Sequence, residues 1–401
     1  MEHKRDKVFI ALFVAFLVII PILSVFFPES ELSVFEQRYL AEIPEFSVER
    51  LIDTKYYNEW EDYFNDRIFA RTKLLALNTK FNVHILKKPV VNGITVTDDA
   101  LLAFDGFSGV MHKDIDVQLK LVTKNIRKLN EACKKNGAKL YMLGIPEQGA
   151  MLQSKYPAYM QDKDGNIMYT EDALFKFCDD EGIESLRMRD VFEKMDYEKL
   201  YSKIDHHYNF YGAFETYRSL VKKISETSYF DLTPLDYDDM IFETIDLPFY
   251  GSRSRKLFGE YSDRERMYIG YPKHEIYYQR SEDGGDPYKE VFAMPTGDFA
   301  AYTVYMGGDM AETAITTGEG RENLPRVLMI GDSFTNPLET LLYYNCNEFR
   351  SLDFRYYTKK TIVQYIDEYK PDIVIYLRDS GSYLNTEGNG NMNLDKLKKN
   401  K

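Results

Sequence analysis

The chain has 401 residues, with 64 Asp and Glu against 51 Lys and Arg, so its formal net charge is −13. That balance supplies no basic stripe to neutralise phosphates, which excludes nucleic acid as an expected partner and leaves a neutral or cationic ligand as the better fit. Cys133, Cys178 and Cys346 are odd in number and widely spaced, which excludes a disulfide framework and a Cys-based metal site.

Lys4, Arg5 and Lys7 precede an uncharged apolar run from Val8 to Phe27. At about 1.5 Å per residue this run covers roughly 30 Å, the thickness of a bilayer's hydrocarbon core. Basic residues stay on the cytoplasmic side and Glu29 and Glu31 follow the run, so residues 1–28 are predicted to be a cytoplasmic stub and membrane anchor. Everything after about Pro28 is expected outside the cell membrane. A cleaved signal peptide is the competing reading, but the run is longer than an ordinary signal core and no A-x-A-like site follows it. Pro21 is compatible with a spanning helix. An exported chain so poor in cysteine suits a bacterial surface.

Residues 29–100 read as a lead-in. Tyr56, Trp60, Phe64 and Ile68 recur at helical spacing and predict an amphipathic helix that packs the stalk onto the main domain. The stretch VVNGITVTDDALLAF predicts strands around tight turns at Asn92-Gly93 and Asp98-Asp99.

Residues 101–385 alternate helices with apolar strands, the pattern of an α/β domain. A helix closed by Gly137 precedes the strand AKLYMLGI, and a helix ending at Gly182 precedes IESL. A further helix is predicted over 210–225. The rhythm breaks at about 230–300, a segment rich in Asp, Tyr, Gly and Arg, which reads as an insertion with its own strands or long loops. It resumes with the strand RVLMIGDSF, the helix NPLETLLYYN, the strand FRSLDFRYY, the helix TKKTIVQYIDEYK and the strand PDIVIYL. The expected class is α/β, with a parallel sheet flanked by helices. The Asn-, Gly- and Lys-rich tail, 386–401, is expected to be loose.

Ligands of open parallel sheets bind beyond the carboxyl ends of strands, where Gly331-Asp332-Ser333 and the loop carrying Glu147 and Gln148 fall. Ser333 lies on a predicted strand-to-helix turn, a position that projects a nucleophilic hydroxyl at the sheet's edge. The same pattern also arises when Asp332 and Ser333 merely start a helix. Asp205-His206-His207 is the second constellation in a chain with six histidines. Residues two apart share a face of extended chain, so Asp205 is placed to orient His207 as a base for serine. Helix capping by Asp205 or Asn209, or a His-based metal site, are the competing readings; a metal needs further ligands that the sequence does not supply. Tyr305-Met306-Gly307-Gly308-Asp309 is a candidate source of oxyanion donors, or a plain turn. With 32 Tyr against one Trp, the chain is also rich in side chains that combine a flat apolar face with a hydroxyl, as sugar-binding clefts do; the competing reading, favoured for any one of them, is a half-buried strand or rim residue.

Together, the anchor, the N-D-R-I-F-A-R segment, the strand ending Ile145-Pro146, Asp205-His206-His207-Tyr208 before a Tyr-Gly-Ala helix, the Y-x-G-G segment and the Gly-Asp-Ser turn resemble the DHHW proteins. They are also similar to the related SGNH-hydrolase-like O-acetyltransferase domains of alginate acetylation proteins. The resemblance implies an SGNH-like fold and a triad of Ser333 as nucleophile, His207 as base and Asp205 as its orienting partner. Tyr208 stands where the family's motif carries Trp and inherits its stacking role, while Gly307, Gly308 and Asp332 fall at substrate or oxyanion positions. The implied activity is transfer of an acetyl group onto a cell-surface polysaccharide, with a membrane protein supplying the acyl donor. A carbohydrate esterase with the same triad, or a non-catalytic glycan-binding scaffold, are the alternatives. No cofactor or resident metal is expected.

Overall fold

The computed structural model describes residues 2–27, 31–52, 54–104, 111–288, 290–387 and 390–397, which fall into two compact units. The first comprises residues 1–96 with 252–261, and the second 97–251 with 262–401.

In the first unit, helix α1 (Glu2–Phe26) carries the apolar run through Pro21 without a break. Its stretch Arg5–Ser24 is the one segment among the described residues long and apolar enough to cross a membrane. Ser24 Oγ, near the end of α1, bonds the Ile20 carbonyl and accepts the Phe69 N–H, both at 2.8 Å. Helix α2 (Lys55–Arg67) is the predicted aromatic helix, with Trp60 stacked on Phe64 at 5.3 Å. It stops before Ile68, whose ψ of 130° is extended. The N-D-R-I-F-A-R segment acts as a clasp. Buried Asp66 receives both terminal nitrogens of Arg38 at 2.6 Å and the Ala41 N–H at 2.9 Å, while Arg71 bonds Glu36 at 2.6 Å. The Arg38 guanidinium holds the Asp66 carboxyl down at about 2. Helix α3 (Arg71–Lys80) continues into a π-helical turn at Phe81–Ile85. Strands β1 (Val90–Val91) and β2 (Ile94–Val96) form the expected hairpin, with Asn92 and Gly93 both at positive φ, as a type I′ turn requires.

The second unit is built on a seven-stranded sheet. In chain order its elements are α4 (His112–Lys135), β3 (Lys139–Ile145), α5 (Asn166–Asp180), β4 (Glu184–Arg187) and α6 (Phe210–Thr227). A separate antiparallel pair follows, β5 (Met240–Ile245) with β6 (Met267–Pro272), and then β7 (Tyr278–Glu282) and β8 (Glu312–Thr317). The chain ends with β9 (Arg326–Gly331), α7 (Asn336–Leu342), β10 (Glu348–Asp353), α8 (Ile362–Tyr369) and β11 (Ile373–Asp379). Across the sheet the order is β7-β8-β10-β9-β11-β3-β4, and the five strands from β10 to β4 run parallel.

Two features depart from the sequence reading. Strands β7 and β8 extend the sheet antiparallel at one edge, so the expected insertion does not stand apart throughout. Their short, polar sequences (YQRSE and ETAITT) lack the apolar run that identifies a buried strand. Second, the expected loose tail is packed: Met392, Asn393 and Leu394 are buried, and Asn393 Nδ2 donates to the carbonyls of Phe354 and Tyr357 at 3.2 and 3.3 Å.

Apolar residues at helical spacing on α4 (Ile115, Leu119, Val122, Ile126, Leu129) join α5, α8 and one side of the sheet in a single cluster. Leu140, Met142, Leu328, Ile330 and Val374 supply the sheet's half of it, and Met392 and Leu394 complete it. Alternate residues such as Val327, Met329 and Ile375 face the other way, where α6 and α7 pack on each other. Strand β9 thus ends at the centre of the sheet, between helices on both faces.

Leu394→Ala should lower unfolding free energy by about 2 to 4 kcal/mol in chemical denaturation, the usual cost of a buried Leu truncation. A loose tail would give no change.

Candidate active site

The Asp-His-His segment lies in a narrow loop before α6. Tyr201 and Tyr208 bridge across it, Asn209 N–H bonds the Leu200 carbonyl at 2.9 Å, and Ser202 Oγ accepts the Asp205 N–H at 3.0 Å. Asn209 caps α6, its side chain accepting the Tyr211 and Gly212 N–H groups at 3.0 and 3.2 Å. Capping therefore falls to Asn209, and the Asp205 carboxylate turns to histidine. Its Oδ1 accepts the His207 N–H at 3.0 Å and lies 2.6 Å from His207 Nδ1. An imidazole donating from Nδ1 presents Nε2 as an acceptor. Glycine is required opposite: a Cβ on Gly251 would lie 2.5 Å from the Ile204 carbonyl oxygen and 3.0 Å from Asp205 Cβ.

Ser333 follows the central strand β9 and opens a single 3₁₀ turn, Ser333–Thr335, ahead of α7. Asp332 caps that turn, accepting the Phe334 N–H at 3.2 Å. It is buried beside Arg378 at 3.2 Å, and burial with neighbouring Asp379 raises its carboxyl while Arg378 opposes them. Asp332 therefore anchors the turn from a buried position. Ser333 itself stays half-buried, with Oγ 2.9 Å from His207 Nε2.

Two segments 126 residues apart in sequence thus meet as one hydrogen-bonded line from Asp205 through His207 to Ser333. Three aromatic residues hold the line. Tyr302 stacks on the His207 ring at 3.7 Å and 9°, and its hydroxyl donates to the Ser333 carbonyl at 2.8 Å. Phe334 lies 4.6 Å from the same ring. Tyr208 is 1% exposed and donates its hydroxyl to the Phe334 carbonyl, so it braces the nucleophile turn rather than stacking on a sugar.

His206 packs on His207 at 3.7 Å, with Nδ1 3.4 Å from Asp205 Oδ1, and is the exposed member of the pair. Asp205, His206 and His207 lie close enough to share an ion. Both His207 nitrogens are engaged, by Asp205 and by Ser333, so a metal bound by that imidazole would break one of the two hydrogen bonds. Gly307 and Gly308 have φ of 75° and 110°, and the Gly308 N–H bonds the Tyr305 carbonyl at 3.1 Å. That is a turn, and it removes Gly308 as an oxyanion donor. Gln148 is fully buried and donates to the Ser202 carbonyl, supporting the histidine loop from below.

Sequence reasoning missed Tyr302, Glu265 and Arg378. Glu265 Oε2 accepts from Ser202 Oγ at 2.6 Å and the Lys203 N–H at 2.8 Å. Burial pushes its carboxyl up to about 7, with Asp205 adding to the rise. Glu265 also lines a cavity of about 920 Å³ with Tyr211, Tyr237 and Tyr268. A folded-state value above the unfolded one means that the folded protein binds the extra proton between about pH 4.5 and 7, so stability falls as pH rises through that window. The difference in unfolding free energy between wild type and Glu265→Gln should therefore shift against wild type by about 3 kcal/mol from pH 4.5 to 7. Parallel pH profiles would show that Glu265 titrates normally.

The sequence matches no protein-family model and no curated protein. Solved structures do match. Bacillus cereus PatB1 with a sulfonyl adduct is 18% identical, with a TM-score of 0.59 over 72% of this chain and 97% of PatB1. A DHHW family protein from Eubacterium siraeum is 17% identical, with a TM-score of 0.56 over 77% of this chain and 98% of its own. The O-acetyltransferase domain of Pseudomonas putida AlgJ is 12% identical, with a TM-score of 0.46 over 73% of this chain and 92% of that domain. At these identities the likeness is one of fold, and the chain shares the α/β fold of PatB1 and of the DHHW family protein.

Proposed function

We propose that the protein is a membrane-anchored, extracytoplasmic acyltransferase that moves an acetyl group onto a cell-surface polysaccharide through Ser333, His207 and Asp205. The observation that carries this reading is the line of two hydrogen bonds, 2.6 Å from Asp205 to His207 and 2.9 Å from His207 to Ser333. Both lengths lie within reach for proton transfer in the ground state. The sulfonyl adduct on PatB1 and the O-acetyltransferase domain of AlgJ name chemistry of the kind such a line performs.

In the first half-reaction Ser333 Oγ attacks the acyl carbonyl while His207 Nε2 takes its proton, and Asp205 stabilises the imidazolium. The proton returns to the leaving group and an acetyl ester remains on Ser333. In the second half-reaction His207 removes the proton of a sugar hydroxyl, which attacks the ester and frees the serine. Acetyl-CoA is a cytoplasmic donor, so a membrane protein delivers the acyl group to the outer face. With water as acceptor the same triad is an esterase; what decides is exclusion of water from the acyl-enzyme.

The test is turnover of p-nitrophenyl acetate by the full chain, with and without oligosaccharide acceptors, followed by product analysis. Ser333→Ala and His207→Ala should each remove turnover, while Ser333→Ala leaves stability within about 1 kcal/mol, as for a residue outside the core. Acetylated sugar rather than free acetate marks a transferase. Turnover that survives both substitutions would contradict the reading.

A further inference from the structure

Helix α3 and its π turn carry an apolar stripe that is exposed among the described residues. Leu74, Leu77, Phe81 and Ile85 are 49%, 64%, 49% and 67% exposed. Their spacing of three, four and four residues keeps them on one side. The π turn, in which the Leu86 N–H bonds the Phe81 carbonyl five residues back at 3.0 Å, holds Ile85 in line. Thr79 and Val83, on the opposite side, are buried. The helix therefore packs by one face and presents a second apolar face outward.

Charge says what covers that face. From Arg71 to Lys88 there are five Lys and Arg and no Asp or Glu, in a chain of net charge −13. Arg71 is held by Glu36, and Lys80 and His84 face Glu260, but Lys73, Lys87 and Lys88 flank the stripe as exposed cations. An apolar stripe edged by lysines is the pattern of a helix lying in the plane of a membrane surface. Position agrees: α3 begins one residue after Phe69–Ala70, and Phe69 is hydrogen-bonded to Ser24 and packed on Phe27 at 6.2 Å, at the end of the apolar α1.

We infer that α3 and its π turn lie on the outer surface of the membrane that α1 crosses, with Leu74, Leu77, Phe81 and Ile85 among the acyl chains and Lys73, Lys87 and Lys88 at anionic headgroups. The inference rests on the reading of α1 as a membrane span. Its consequence is that the first unit is held flat against the bilayer by a second contact rather than swinging from a single helix.

The three native cysteines are buried, so one introduced cysteine can be labelled selectively. The full chain carrying Leu77→Cys, Val14→Cys or Lys222→Cys, each with an environment-sensitive fluorophore, is reconstituted in phosphatidylglycerol–phosphatidylcholine vesicles containing spin-labelled lipid. Quenching at positions 77 and 14, with position 222 unquenched, supports the inference. Quenching at 14 with emission at 77 matching that at 222 overturns it while leaving the anchor intact. A blue-shifted but unquenched label at 77 means that protein, a second copy or another membrane protein, covers the face, and also overturns it. No quenching at 14 rejects the anchor itself. Replacing phosphatidylglycerol by phosphatidylcholine, or introducing Lys87→Glu with Lys88→Glu, should weaken quenching at 77; no effect from either would overturn the role of the cations.

Discussion

The hydrogen bond between His207 Nε2 and Ser333 Oγ sets the geometric demand that the rest of the second unit meets. It joins a loop ahead of α6 to the end of the central strand β9. The loop is narrowed by the Tyr201–Tyr208 bridge and closed by Asn209 at the helix cap. The serine turn is capped by Asp332 and tied to β11 through Arg378. Tyr302 then touches both halves at once, its ring on the imidazole and its hydroxyl on the Ser333 carbonyl. Such over-determination is what keeps a base and nucleophile within a few tenths of an ångström of a productive distance.

The sheet explains why this place was available. Strand β9 lies between β10 and β11, which the chain reaches by crossing first to one side and then to the other. At such a point the loops beyond the strand ends diverge and leave room for a side chain and a ligand. The close approach of chain to chain also fixes residue types. A Cβ on Gly331 would lie 2.5 Å from a Thr335 methyl, so the turn into Ser333 can be this tight only with glycine before Asp332.

The three residues of the hydrogen-bonded line were legible because they sit next to their neighbours in sequence. Asp205 and His207 are two apart and share a turn, and Ser333 directly follows an apolar strand, so local pattern alone proposed all three. The alternation of helices and strands gave the sheet for the same reason. What was not legible depends on contacts between distant segments. Tyr302 lies just ahead of the Tyr305–Asp309 segment that was read for its glycines, and nothing local marks it as stacking on residue 207. Glu265 reads as one acid in a charged stretch until Ser202 and Lys203 surround it. Tyr208 fits the family motif's position, yet its hydroxyl turns inward. The tail shows the converse: its Asn and Gly content masked Met392 and Leu394, whose burial depends on a core built by residues up to about 280 positions earlier.

The central claim is that His207 activates Ser333 as a nucleophile, and an aryl sulfonyl fluoride reads that activation without any assumption about donor or acceptor. Wild type and His207→Ala would be treated with the reagent and the modified peptide identified by mass spectrometry. The account predicts a sulfonyl group on Ser333 in wild type and little or none in His207→Ala. Modification of a different residue, or equal labelling of Ser333 with and without the imidazole, would contradict it.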